Sequence, residues 1–160
     1  PMAGKNKVDG DGREGPAGRL LLEQQLCFAL YSASLAMTKL YRPLLEPLGL
    51  TYPQYLVMMV LWEGDDISLS ALGDRLVLDS GTLTPLLKRL EASGLIKRDR
   101  DAADERRIRV TLTRKGKDLR KDAQQVPIAA ASATGCELAD LDGLTAKVTK
   151  LRASIEARLD

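Results

Sequence analysis

Four helix-boundary signals and two short β-type runs, all between residues 51 and 113, constrain this chain more than any other feature of it. Thr51-Tyr52-Pro53-Gln54 puts a hydroxyl at an N-cap, proline in the first turn and glutamine three residues past the cap, predicting a helix to about Glu63. Ser68 opens a second helix through Arg75. Asp79 or Ser80 caps a third, which runs through Ala92 until Ser93-Gly94 closes it. Then Leu95-Ile96-Lys97-Arg98 and Ile108-Arg109-Val110-Thr111-Leu112 are β-type runs, joined by a charged segment with no apolar residue larger than alanine. That is the pattern of a two-stranded hairpin. Helices joined by a short turn, with a hairpin attached behind them, predict a helix-turn-helix with a wing.

Helical patterns flank this unit. From 19 to about 46, apolar residues such as Leu22, Leu26, Leu30, Leu40 and Leu44 recur at helical spacing until Pro43, Pro47 and Gly49 end the run. Two more helices are predicted at about 114–132 and 137–159, with no strand left to pair. The first 18 residues hold five glycines and almost no large apolar side chain, so a disordered tail is expected there. Gly10, Gly12 and Gly15 spell GxGxxG in that tail, but no strand precedes them, so no dinucleotide site follows. The predicted organisation is therefore a tail (1–18), an N-terminal helix for dimerisation and sensing (19–50), a winged helix-turn-helix (51–113) and C-terminal dimerisation helices (114–160). The fold class is mainly α with a small two-stranded β-wing. The flanking helices carry more apolar residues than one small subunit can cover, which makes them the material of a homodimer.

Composition excludes much enzymology. There is no histidine, so no His-ligated metal and no imidazole-activated nucleophile, and the two cysteines, Cys27 and Cys136, are too few for a Cys-only zinc site. Neither a metal nor a cofactor is expected, nor an enzyme. No apolar run approaches the ~20 residues that cross a bilayer, and a cytoplasmic protein is the expectation.

The charge is lopsided although the net charge is only +2: residues 88–121 carry 13 Lys/Arg against six Asp/Glu, and the rest of the chain 11 against 16. The basic part coincides with the second helix of the helix-turn-helix, the hairpin and the start of the next helix, where phosphate contacts would be needed. All six aromatics (Phe28, Tyr31, Tyr41, Tyr52, Tyr55, Trp62) lie outside it, so there is no stacking platform for single strands, and duplex DNA is the better partner. In the recognition helix, Ser80, Thr82, Thr84, Lys88 and Arg89 suit base edges and phosphates of a major groove. In the hairpin, Arg98 adds a cation, and Arg106 and Arg107 sit at a tip narrow enough for a minor groove. Asp104 either aims those arginines or only staples the hairpin to itself. Paired copies would present two recognition helices to successive grooves ~34 Å apart.

The run SALGDRLVLDSGTLTPLLKRLEASGLIKRDRDAADERRIRVTLTRKGK resembles the core of MarR-type transcriptional regulators, including a wing Asp-x-Arg (Asp104, Arg106) followed by a strand and Leu112-Thr113. LCFALYSASLAMTKLYRPLLEPLGLTYPQYLVMMVLWE is similar to the OhrR branch, repressors that sense organic hydroperoxides. The resemblance implies a dimeric repressor that binds an inverted-repeat operator when reduced and releases it when a cysteine is oxidised by an organic peroxide. It assigns Cys27 as the peroxidatic cysteine, Tyr41 and Tyr52 as its hydrogen-bonding tyrosines, Tyr31 as a further tyrosine of the pocket, and Cys136 as the resolving cysteine that joins Cys27 of the partner subunit in a disulfide. Glu23, Gln24, Leu30 and Tyr31 occupy the i±3 and i±4 positions around Cys27, so no cation lies within a turn of the thiol. Tyr41 follows Cys27 by 14 residues, roughly 21 Å along a straight helix, so a Tyr41 contact to the thiol implies a site shared between subunits. Three alternatives stand beside this reading: a winged-helix repressor released by a phenolic or aromatic ligand, a thiol peroxidase centred on Cys27, and a helical dimerisation protein with no DNA role.

Overall fold

The structure, a computed structural model, describes residues 20–159. The tail expected at 1–18 lies outside them. The chain divides between Lys39 and Leu40 into two compact units.

In the first unit a 3₁₀ turn, Leu22–Gln24, precedes helix α1, Leu26–Leu45, whose C-terminal end belongs to the second unit. The helix expected from residue 19 therefore begins later. Leu21 and Gln25 have extended backbones on either side of the 3₁₀ turn. Leu20, Leu21 and Leu22 are all exposed, so no packing holds that segment in an α-helix. Ser32 Oγ donates to the Phe28 carbonyl at 2.7 Å and Thr38 Oγ1 to the Ser34 carbonyl at 3.0 Å, spending both hydroxyls within the helix. Leu26, Cys27, Tyr31, Leu35 and Met37 are exposed.

The hydrophobic core lies wholly in the second unit, centred on α2, Tyr52–Glu63. The predicted capping box is complete: the Thr51 N–H donates to Gln54 Oε1 at 3.0 Å and the Gln54 N–H to Thr51 Oγ1 at 3.4 Å. Tyr55, Val57, Met58, Val60 and Leu61 are buried around most of its circumference, as in a helix enclosed by its neighbours. Helix α3, Leu69–Leu76, is capped by Ser68, whose hydroxyl accepts from the Ala71 N–H at 3.2 Å. Helix α4, Ser80–Ala92, is capped by Asp79, which accepts from the Thr82 N–H at 2.8 Å. Between them Val77 is left-handed, at φ 56°. Leu72, Leu83, Leu87 and Leu90 pack the inner faces at 0% exposure, which makes α3–α4 one rigid piece with α2.

The wing has three strands instead of the expected two. Strand β1, Ile67–Ser68, and strand β2, Ile96–Arg100, pair antiparallel with opposite edges of β3, Ile108–Leu112. Ile67 faces Val110, and the β2–β3 ladder runs from Ile96 opposite Leu112 to Arg100 opposite Ile108. β1 is two residues long and its Ser68 is also the cap of α3, so it offers no alternation from which to read a strand.

The helix expected over 114–132 is two helices, α5, Arg114–Ala123, and α6, Val126–Thr134. Pro127 explains the break: it fits the first turn of a helix but cannot continue one from upstream. Gly135, left-handed at φ 69°, ends α6 before α7, Leu138–Leu159. No residue of α7 is buried. Among the described residues no helix is long and apolar enough to cross a membrane.

Candidate DNA interface and thiol sensor

Helix α4 turns its leucines inward and its polar side outward. Ser80, Thr82, Lys88 and Arg89 are exposed and Thr84 is half-buried, so the five predicted recognition residues are spread over the accessible side and the N-terminal end of one helix. Arg98 is placed differently from the expectation. Its Nη2 and Nε meet Glu91 Oε2 at 2.6 and 3.1 Å, while its own N–H donates to Glu91 Oε1 at 3.0 Å. The guanidinium ties β2 to α4 through Nε and Nη2, and the side chain is only 20% exposed. That hydrogen-bonded pairing holds the Glu91 carboxyl below the usual carboxylate range.

At the tip of the wing, Asp104 organises both predicted arginines. Its Oδ1 accepts from the Arg106 N–H at 3.1 Å and from Arg106 Nε at 3.2 Å, Oδ2 lies 3.6 Å from Arg107 Nε, and its carbonyl accepts from the Arg107 N–H at 2.8 Å. The Arg106 and Arg107 side chains remain 92% and 71% exposed, so the staple sets their direction without covering them.

Acidic residues that sequence reasoning did not single out fasten the root of the wing. Asp65 Oδ1 accepts from the Leu112 N–H at 2.8 Å and Oδ2 meets Lys117 Nζ at 3.2 Å. Burial would raise that carboxyl, but the Leu112 and Asp66 N–H groups and the Lys117 ammonium outweigh it and hold it low. Arg109 joins Asp66 to Asp101. These partners are separated by up to 52 residues in the chain, so no local spacing announces them.

The second unit brings together two of the predicted sensor tyrosines. The Tyr41 and Tyr52 ring centroids are 4.7 Å apart, and Tyr55 joins them at 5.8 Å from Tyr41. Tyr55 in turn meets the edge of Trp62 at 6.4 Å, and Trp62 Nε1 donates to the Gly116 carbonyl at 2.9 Å. Burial raises the phenols of Tyr41, Tyr52 and Tyr55 above their ordinary value, and Tyr52 adds to the rise at Tyr41. Among the described residues neither the Tyr41 nor the Tyr52 hydroxyl meets a hydrogen-bond partner. Tyr55 and Trp62 extend the cluster beyond the predicted set. Their spacing from Tyr52, three and ten residues along one helix, was the available signal.

Cys27 and Tyr31 belong to the first unit, both exposed on α1. Cys136 lies in the second, one residue past Gly135. It is exposed and free, its N–H donating to Thr134 Oγ1 at 3.1 Å. Among the described residues no group of three or more His, Cys, Asp or Glu could hold a metal ion.

A family model for the transcriptional regulator SarA/Rot matches residues 39–123. The chain is 45% identical over 154 residues, 96% of its length and 77% of the relative's, to the HTH-type transcriptional regulator TtmR of Methylorubrum extorquens. It is 48% identical over 114 residues, 71% of its length and 78% of the relative's, to the organic hydroperoxide resistance transcriptional regulator of Bacillus subtilis. Among solved structures, reduced AbfR bound to DNA superposes with a TM-score of 0.74 at 36% identity, covering 87% of this chain and 95% of that one. AbfR, a Staphylococcus epidermidis protein, with its disulfide formed superposes with a TM-score of 0.57 at 35% identity, covering 89% and 95%.

Proposed function

The chain belongs to the SarA/Rot family of MarR-like winged-helix transcriptional regulators, and we propose that it is a redox-sensing repressor, a homodimer that holds an inverted-repeat operator while Cys27 is reduced and releases it when an organic hydroperoxide oxidises that thiol. Helix α4 enters a major groove, with Ser80, Thr82 and Thr84 at base edges and Lys88 and Arg89 on phosphates. Arg106 and Arg107, aimed by Asp104, enter the neighbouring minor groove.

The observation that carries the sensor half is the Tyr41–Tyr52 pair, two phenols with ring centroids 4.7 Å apart whose burial disfavours the phenolate. With no internal acceptor among the described residues, their hydroxyls are donors for a thiolate, and in the dimer that thiolate is Cys27 of the partner subunit. The thiolate attacks the terminal oxygen of the hydroperoxide, the O–O bond breaks, and the alkoxide leaves and takes up a proton as alcohol. Cys27 becomes a sulfenic acid. Cys136 of the partner subunit then attacks the sulfenic sulfur, forming the disulfide and releasing water. Its position one residue past the left-handed Gly135, outside any helix, suits a thiol that must travel. The name of the Bacillus subtilis relative, and AbfR in reduced DNA-bound and disulfide forms, support this chemistry.

Cumene hydroperoxide should release the wild-type protein from a palindromic promoter fragment and leave Cys27→Ser bound. Release of the serine variant would defeat the sensor reading. One observation favours a second reading, release by a phenolic or aromatic ligand: an open, mainly apolar groove of about 550 Å³ between Leu44, Leu48, Val126 and Ala129, with Lys121, Asp122 and Gln125 also in its lining. The same variant separates the two, because a ligand-operated repressor keeps its response without the thiol.

A further inference from the structure

We propose that Arg109 is a positioning residue for the wing, tying Asp66, in the turn after α2, to Asp101, at the base of the wing loop, so that Arg106 and Arg107 are held at the angle DNA binding requires. The inference rests on the DNA-binding reading above. Arg109 stands in the central strand β3, opposite Ser68 of β1 and Asp99 of β2. Its Nε meets Asp66 Oδ1 at 2.6 Å, its Nη2 donates to the Asp66 carbonyl at 2.5 Å, and its Nη1 lies 3.5 Å from Asp101 Oδ2. All three guanidinium nitrogens are engaged.

Asp101 is the residue on which the tip is built. Its carboxylate accepts from the Ala103 N–H at 2.8 Å, and its own N–H donates to the Arg107 carbonyl at 2.8 Å. Arg107 then donates its N–H to the Asp104 carbonyl, and Asp104 holds Arg106. A continuous chain of polar contacts thus runs from the end of α2 to the wing tip, with Arg109 as its central link. Asp66 reaches Arg109 with carboxylate and carbonyl together from a left-handed backbone, φ 64°, a conformation that aspartate tolerates better than most residues. The Ala103 N–H first and Arg109 with it keep Asp101 below the usual carboxylate range, and Asp66 keeps Arg109 above its ordinary value. A loop with two free arginines and no such tie would lose orientational freedom on binding; a tied one has already lost it.

The test is anisotropy of a fluorescein-labelled duplex containing an A·T-rich inverted repeat, titrated with the full chain across a salt series. Removing a negative charge near DNA strengthens binding if only bulk electrostatics act. The tie predicts the reverse: Asp66→Asn and Arg109→Gln each weaken binding about fivefold, with the slope of log K against log salt unchanged. In an Arg106→Ala/Arg107→Ala background both effects vanish. Tighter binding by Asp66→Asn, a salt slope reduced by about one in Arg109→Gln, or undiminished effects in the tipless background would each overturn the proposal. Asp101→Asn, at the other end of the tie, gives the same readout should Arg109→Gln not fold. Unchanged binding on loss of both tip arginines alone would instead overturn the DNA reading of the wing, and this inference with it.

Discussion

Half-buried Tyr41 and Tyr52 cluster with buried Tyr55, and the first consequence is electrostatic. Burial disfavours the phenolate, so each phenol titrates above the ordinary value of about 10. A folded-state pKa above the unfolded one contributes stability that is complete below the unfolded value and is lost as pH rises through the folded one. Unfolding free energy should therefore fall from about pH 10 upward, with tyrosinate absorbance lagging behind that of a denatured sample. Tyr52→Phe removes one donor while keeping the ring, and is expected to slow peroxide oxidation of Cys27 without weakening DNA binding; stopped-flow thiol loss and anisotropy check the two halves. Gly116 has a different constraint. A Cβ there would lie 2.1 Å from the Leu95 carbonyl oxygen, backbone that already accepts from the Thr113 N–H. Gly116→Ala should cost about 3 kcal/mol in urea denaturation, the scale of a forced backbone shift in a packed interior.

Among the elements, the wing and recognition helix assign different work to arginines that look alike in the chain. Arg98 closes β2 onto α4 through Glu91, with a side chain only 20% exposed, whereas Arg106 is 92% exposed. Arg106→Ala should thus lower the salt slope of DNA binding by about one. Arg98→Ala should leave the slope unchanged and lower the melting temperature instead, since it deprives Glu91 of its partner. Glu91 is held low by that pairing, so its contribution persists above the ordinary carboxylate range and is lost as the solution is acidified through the folded-state value.

At the scale of the whole molecule, the described chain leaves apolar surface that nothing within it covers. Along α7, Leu144, Val148 and Ile155 are 56%, 45% and 48% exposed at spacings of four and seven, with the less exposed Leu141 and Leu151 between and beside them. A stripe of that period needs a facing helix. Val148→Glu is expected to convert the proposed dimer to monomer in sedimentation and to abolish tight operator binding, because two half-sites must be held at once. Cys136→Ser should still lose its Cys27 thiol to peroxide but give no covalent dimer on a non-reducing gel. A persistent dimer would exclude the two-cysteine route.

The sequence by itself determined the elements whose causes are local. Thr51 and Gln54 cap α2, Ser68 caps α3, Asp79 caps α4, and the alternation around Val110 makes β3, because a cap or a period needs only a few neighbouring residues to act. Tertiary structure decided what depends on partners far along the chain. β1 exists because Ile67 finds Val110; Arg98 is drawn onto α4 by Glu91; Asp65 and Asp66 reach Leu112 and Arg109 across more than forty residues. The Tyr41–Tyr52 pair stands between the two cases. Both residues were legible as tyrosines at a helix end and a helix start, but only the packing of those helices puts their rings together and raises their pKa, since desolvation is a property of surroundings that no spacing encodes.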